Sequence, residues 1–175
     1  MPIADASVAI LAEDQTQQNF VYHWLRSAGV NLHKIRKLPV PAGRGSGSQH
    51  VINRYREEVH TIRRSNQRIT WRLVVVIDAD DKTVDDRRRQ LADALGEGQL
   101  RRVDDPVCVL VPRRNIETWV HALLDHGVNE VDDYKPKTGD EIRDTPKRLA
   151  SSTTAPTAPP SLSEGYVELE RLKRL

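Results

Sequence analysis

Apolar positions along the chain switch between two rhythms, short unbroken runs and stripes at helical spacing. Ser7-Val8-Ala9-Ile10-Leu11-Ala12 is the first run; Leu73-Val74-Val75-Val76-Ile77 and Val107-Cys108-Val109-Leu110-Val111 are further runs of the same kind. Uninterrupted runs of this length predict strands buried on both faces, as in a parallel sheet covered by helices. Residues 33–38 alternate weakly and predict another strand, closed by Pro39-Val40-Pro41. Between the runs the spacing changes. Phe20, Val21, Trp24, Leu25 and Ala28 predict a helix over 15–28, with Gly29 as its stop. Val51, Ile52, Tyr55, Val59 and Ile62 share one face of a helix from 49 to about 64. A third helix, over 84–95, is rich in Arg and Asp, and Ile116, Trp119, Val120 and Leu123 mark a fourth, with Asn115 as its cap.

Strands alternating with helices predict an α/β fold, Rossmann-like, with a mostly parallel sheet of about four strands. The pattern thins beyond Asp125: 128–139 reads as a polar loop and 151–163 is rich in Ser, Thr, Pro and Ala. The expected organisation is an α/β domain over 1–144, a linker or surface wrap over 145–163, and an amphipathic helix over 164–175. Val167, Leu169, Leu172 and Leu175 give that helix an apolar side. It either folds back onto its own sheet or docks on a second copy or another protein.

Composition narrows the class. With 175 residues, 38% hydrophobic and 30% charged, the chain is long enough for one domain with a proper core. No apolar run approaches the length of a membrane span, and the amino terminus lacks the basic-then-apolar pattern of a secretory signal, so a cytoplasmic protein with no membrane partner is expected. Cys108 is the only cysteine. A disulfide within the chain and a Cys-based zinc site are thereby excluded, and its apolar setting makes it a buried small hydrophobe. The net charge is only +2, yet Arg and Lys gather in clusters such as Lys34-Ile35-Arg36-Lys37, Arg87-Arg88-Arg89 and Arg113-Arg114. Such clusters are solvated helix faces or grips on a phosphate backbone.

The candidate chemistry lies where two runs end in acid. The run over 7–12 closes in Glu13-Asp14 and the run over 73–77 in Asp78-Ala79-Asp80-Asp81. If both strands are parallel neighbours, these groups share the carboxyl edge, where open α/β sheets place their ligands. Asp78 and Asp80 would point the same way if the extended geometry persists. Converging carboxylates repel unless a cation lies between them, and hard oxygen ligands suit Mg²⁺ or Mn²⁺. The plainer alternative makes Asp78 a helix cap and its neighbours solvated turn residues. Ala42-Gly43-Arg44-Gly45-Ser46-Gly47-Ser48 opens a helix. It is a phosphate cradle or a plain loop, without the Lys of a P-loop. Glu117 is a further acidic ligand or a carboxylate satisfying a helix dipole.

The order of these units resembles the TOPRIM fold of topoisomerases, primases and OLD-type nucleases, whose hallmark is a Glu ending the first strand and an Asp-x-Asp pair ending a later one. Ala12-Glu13-Asp14-Gln15-Thr16-Gln17-Gln18-Asn19-Phe20, Pro41-Ala42-Gly43-Arg44-Gly45-Ser46-Gly47 and Pro112-Arg113-Arg114-Asn115-Ile116-Glu117-Thr118-Trp119 look like small stand-alone bacterial TOPRIM-like proteins often encoded beside ATPases in phage-defence regions. The resemblance spans residues 8–119, with an echo at Pro159-Pro160-Ser161-Leu162. It implies a Mg²⁺- or Mn²⁺-dependent nuclease acting on DNA or RNA, with Glu13, Asp78 and Asp80 as catalytic carboxylates and Glu13 in some enzymes a general base. Asp14, Asp81 and Glu117 join Glu13, Asp78 and Asp80 as metal ligands, and Arg44, Arg113, Arg114, Lys135 and Lys137 are the phosphate contacts. An ATPase partner or a homo-oligomer is implied as company. Two departures matter. Asp14 stands where the family commonly has Gly, and Gln17 where many OLD-type nucleases add an acid, so either Asp14 substitutes as a ligand or the site holds one metal instead of two. The competing expectations are a non-catalytic subunit docking on an ATPase, and a receiver-like domain phosphorylated on Asp78, for which Pro112-Arg113 and Lys135-Pro136 are poor matches.

Overall fold

The uninterrupted runs form the interior of one sheet. In this computed structural model, which describes residues 3–42, 47–65, 70–96, 99–134, 139–151 and 158–175, the strands are β1 (Ser7–Ala12), β2 (Ile35–Lys37), β3 (Trp71–Val76) and β4 (Val107–Leu110). Their order is β2-β1-β3-β4 and every neighbouring pair is parallel. The helices are α1 (Gln15–Ser27), α2 (Gly47–Ser65), α3 (Val84–Leu95), α4 (Ile116–Leu123), α5 (Gly139–Asp144), α6 (Pro146–Ser151) and α7 (Pro160–Arg174). This is the α/β, Rossmann-like arrangement expected, with a helical layer on each face.

Strand alternation divides the core in two. Val8, Ile10 and Ala12 of β1, with Val74, Val76, Cys108 and Leu110, pack against α1, α4 and α7. Ala9 and Leu11, with Leu73, Val75, Ile77, Val107 and Val109, pack against α2 and α3. Cys108 is fully buried, and burial pushes its thiol well above the usual range, as befits an inert core residue. Register sets the site: Ala12 lies opposite Val76, and Val76 opposite Leu110, so the three strands end level. Beyond β3, Ala79 N–H still donates to Pro112 O at 2.9 Å, holding the following turn against the β4 exit.

The carboxyl-terminal helix folds back. It begins at Pro160, a residue suited to the first helical position, four residues earlier than the sequence suggested. The stretch expected as linker over 145–163 carries α6 and the start of α7, and residues 152–157 lie outside the described residues. α7 lies over the edge strand β4 and occupies its backbone groups. The Glu168 carboxylate accepts from Val109 N–H at 3.1 Å, and Arg101 and Arg171 both donate to Val107 O while each pairs with Glu168. Covering an edge in this way removes a template for pairing with another chain. Arg72, fully buried on β3, donates to Leu172 O at 2.7 Å, and Trp119 Nε1 donates to Ser161 Oγ at 2.9 Å.

Candidate functional site

Glu13 and Asp78 come together directly. Asp14 caps α1, its Oδ1 accepting from Gln17 N–H at 2.9 Å, and this turns Gln17 back beneath the end of β1. Gln17 is fully buried, and its Oε1 accepts from Glu13 N–H at 3.0 Å. Glu13 Oε1 then accepts from Asp78 N–H at 3.0 Å, tying the ends of the adjacent strands β1 and β3. Asp78 is 8% exposed, and its Oδ1 is buried with no hydrogen-bond partner among the described residues. Gln17 Nε2 is also buried, with no partner among the described residues. It lies near enough to Asp78 to favour the ionised carboxylate, but the geometry does not close a hydrogen bond. Two neighbouring buried polar atoms without a closed hydrogen bond are uncommon and call for an explanation.

Asp78 is not a helix cap. Thr83 takes that role for α3, in a capping box with Asp86. Asp80 departs from the expected alternation. β3 ends at Val76, and Asp80 adopts φ 54°, so the extended geometry that would have aligned it with Asp78 is lost. Its carboxylate turns to Arg87 Nη2, at 2.8 Å. Arg87 is 5% exposed; its Nε donates to Asp78 O at 2.8 Å and its Nη1 to Gln90 Oε1 at 3.0 Å. Arg87 did not stand out in the sequence because Arg87-Arg88-Arg89 reads as a solvated basic run. The available signal was its spacing from Leu91 and Leu95, which places it on the buried stripe of α3.

The remaining expected residues divide into three groups. Glu117 is in the first turn of α4, and burial, with a smaller contribution from the Asp14 charge, raises its proton affinity. Asp81 is exposed and pairs with Arg114 at 2.5 Å. Arg114 also grips Asp133, at 2.7 Å, and Arg113 Nη1 donates to the carbonyls of Asp80 and Lys82 at 2.7 and 2.6 Å. Both arginines therefore hold the 80–82 turn. Arg44, Lys135 and Lys137, and the centre of the Gly-rich loop, lie outside the described residues.

α2 starts against this site. A Cβ added to Gly47 would stand 2.8 Å from Glu13 Cβ and 3.1 Å from Glu13 O, so only glycine permits this approach. The positive end of the α2 dipole is thereby brought up to Glu13. Burial, then the Asp80 charge, raises the Glu13 pKa from 4.5 to about 7, against the opposing pull of Arg87 and the Asp78 N–H. Burial and then Glu13 push Asp78 well above the usual carboxylate range. Among the described residues, no group of three or more His, Cys, Asp or Glu is arranged to hold a metal ion. One buried and one half-buried carboxylate remain, Asp78 and Glu13, and oxygen donors in that number suit Mg²⁺, which binds through one or two carboxylates and keeps several waters. Comparisons of the chain with protein-family models, curated proteins and solved structures found no match in any of the three.

Proposed function

We propose that the carboxyl edge of the sheet is the active site of a metal-dependent nuclease of TOPRIM type. The observation that carries this reading is the buried, unpartnered Asp78 Oδ1 beside Glu13 at the end of adjacent parallel strands. Glu13 and Asp78 hold Mg²⁺ or Mn²⁺, with Asp14 and Glu117 as a second acidic pair at the rim. A divalent cation held there would neutralise charge on a phosphate oxygen and acidify a bound water. The residues supply the rest. Glu13 Oε1 is fixed by the Asp78 N–H, which leaves its second oxygen for the cation or, in the alternative role, for a proton taken from water. Gln17 Nε2 offers an N–H into the same space, and the start of α2 brings backbone N–H groups towards a phosphate. Arg113 and Arg114 contribute by fixing the 80–82 turn.

Phosphate contacts position a nucleic acid without reading its sequence, so target choice is assigned to a partner, an ATPase in a phage-defence setting. Incubation of the full chain with labelled single-stranded DNA, duplex DNA and RNA tests the reading. Cleavage that requires Mg²⁺ or Mn²⁺ and falls at least about a hundredfold in both Glu13→Gln and Asp78→Asn supports it, on the scale usual for loss of a catalytic group. Cleavage that persists in both variants refutes it. A second reading, a non-catalytic subunit, is favoured by the internal engagement of Arg87, Arg113 and Arg114. It is the outcome if all three substrates survive while an ATPase co-purifies. The burial of Asp78 disfavours phosphorylation, since a phosphodonor must reach its carboxylate.

A further inference from the structure

We propose that Arg87 is a resident cation of the acidic site, taking the place of a second metal ion, so that the chain binds a single divalent cation. This rests on the metal-site reading above and assigns its stoichiometry. The guanidinium is built in. It is 5% exposed, and its Nε, Nη1 and Nη2 each donate one hydrogen bond, to Asp78 O, Gln90 Oε1 and Asp80 Oδ2, at 2.8, 3.0 and 2.8 Å. A buried arginine held by three directed bonds does not swing away when another cation arrives.

Its ion pair singles out one of the three carboxylates. Glu13 and Asp78 are the other two, with the open Asp78 Oδ1 and the Gln17 Nε2 aimed at it. Asp80, turned outward by its left-handed backbone, is already paired with Arg87, although its charge still reaches Glu13. A second divalent ion at Asp80 would have to displace the guanidinium or lie beside it, and like charges several ångströms apart in a partly buried site repel strongly. Two carboxylates and one divalent ion balance on the Glu13 side, and one carboxylate and one guanidinium balance on the Asp80 side. Asp80 then acts through Arg87 as a positioning residue rather than as a free ligand.

The test is a Mn²⁺ titration of the full chain at pH 8, with free Mn²⁺ counted by electron paramagnetic resonance. The wild-type chain is expected to bind one ion and Arg87→Lys, which keeps the charge, one. Arg87→Gln is expected to bind two, the first on the order of tenfold more tightly. Two ions on the wild type or on Arg87→Lys overturn the inference and leave the metal site standing. One ion on Arg87→Gln overturns it too, and makes Arg87 purely structural. No ion on the wild type defeats the metal-site reading itself. If circular dichroism shows that Arg87→Gln does not fold, Asp80→Asn decides: retention of one ion supports the inference, and loss of the ion overturns it.

Discussion

Glu13→Gln in the metal-free chain is expected to raise stability at pH 8 and to leave it nearly unchanged at pH 4.5. The Glu13 pKa is lifted from 4.5 to about 7 by burial and by the Asp80 charge. Below 4.5 both the folded and unfolded chains hold the proton, and the site carries no penalty. Between 4.5 and about 7 the unfolded chain has released the proton while the folded chain retains it, so stability falls as pH rises. Above about 7 the full penalty is present, about 3 kcal/mol at about 1.4 kcal/mol per pH unit. Gln keeps an Oε1 to accept the Asp78 N–H and removes the charge that burdens Asp78 as well. At about 2–4 °C per kcal/mol for a domain of this size, the gain at pH 8 is about 6–12 °C. Thermal melts followed by circular dichroism in excess chelator, at pH 4.5, 6 and 8, measure it. An equal gain at all three pH values, or a loss at pH 8, refutes the electrostatic reasoning.

The same proton makes Mn²⁺ affinity rise with pH through about 7, and calorimetry in buffers of different ionisation enthalpy should register proton release on binding at pH 6.5. Gly47→Ala is expected to weaken Mn²⁺ binding by displacing Glu13, because its Cβ would meet Glu13 Cβ at 2.8 Å; equal affinity by titration counts against the close approach. Gly165→Ala places a Cβ 2.3 Å from Trp119 Cη2, and its cost of about 1–3 kcal/mol should exceed the helix-propensity gain of about 1 kcal/mol; urea melts read by tryptophan fluorescence check it. Truncation before Pro160 uncovers β4 and the Arg72 guanidinium and should lower the melting temperature by well over 10 °C or cause aggregation; an unchanged melting temperature would show that α7 docks elsewhere.

Much of this architecture is legible in the sequence because buried strands leave unbroken aliphatic runs. Ser7–Ala12 and Val84–Leu95 fall within the bounds read from pattern alone, and Asn115 caps α4 as expected. Acidic ends on neighbouring parallel strands also foretell that Glu13 and Asp78 meet. The rest depends on tertiary context. Period-two alternation places Asp80 beside Asp78, but a single left-handed residue after the strand turns it to Arg87. Arg113 and Arg114 look free in a sequence, since only the folded turn supplies the carbonyls and carboxylates they hold. α5 and α6 bury little more than Ile142 and Leu149, too few apolar positions to mark a helix. Gly47 and Gly165 carry contacts that nothing local announces, because what each would strike lies on another element.

Crystals of the chain soaked in Mn²⁺ and measured for anomalous scattering test the proposed metal site most directly. An anomalous peak bound by the carboxylates of Glu13 and Asp78, at about 2.1 Å from their oxygens, is expected. A soaked crystal in which Mn²⁺ lies only on exposed carboxylates elsewhere, with Asp78 Oδ1 still unpartnered, contradicts it.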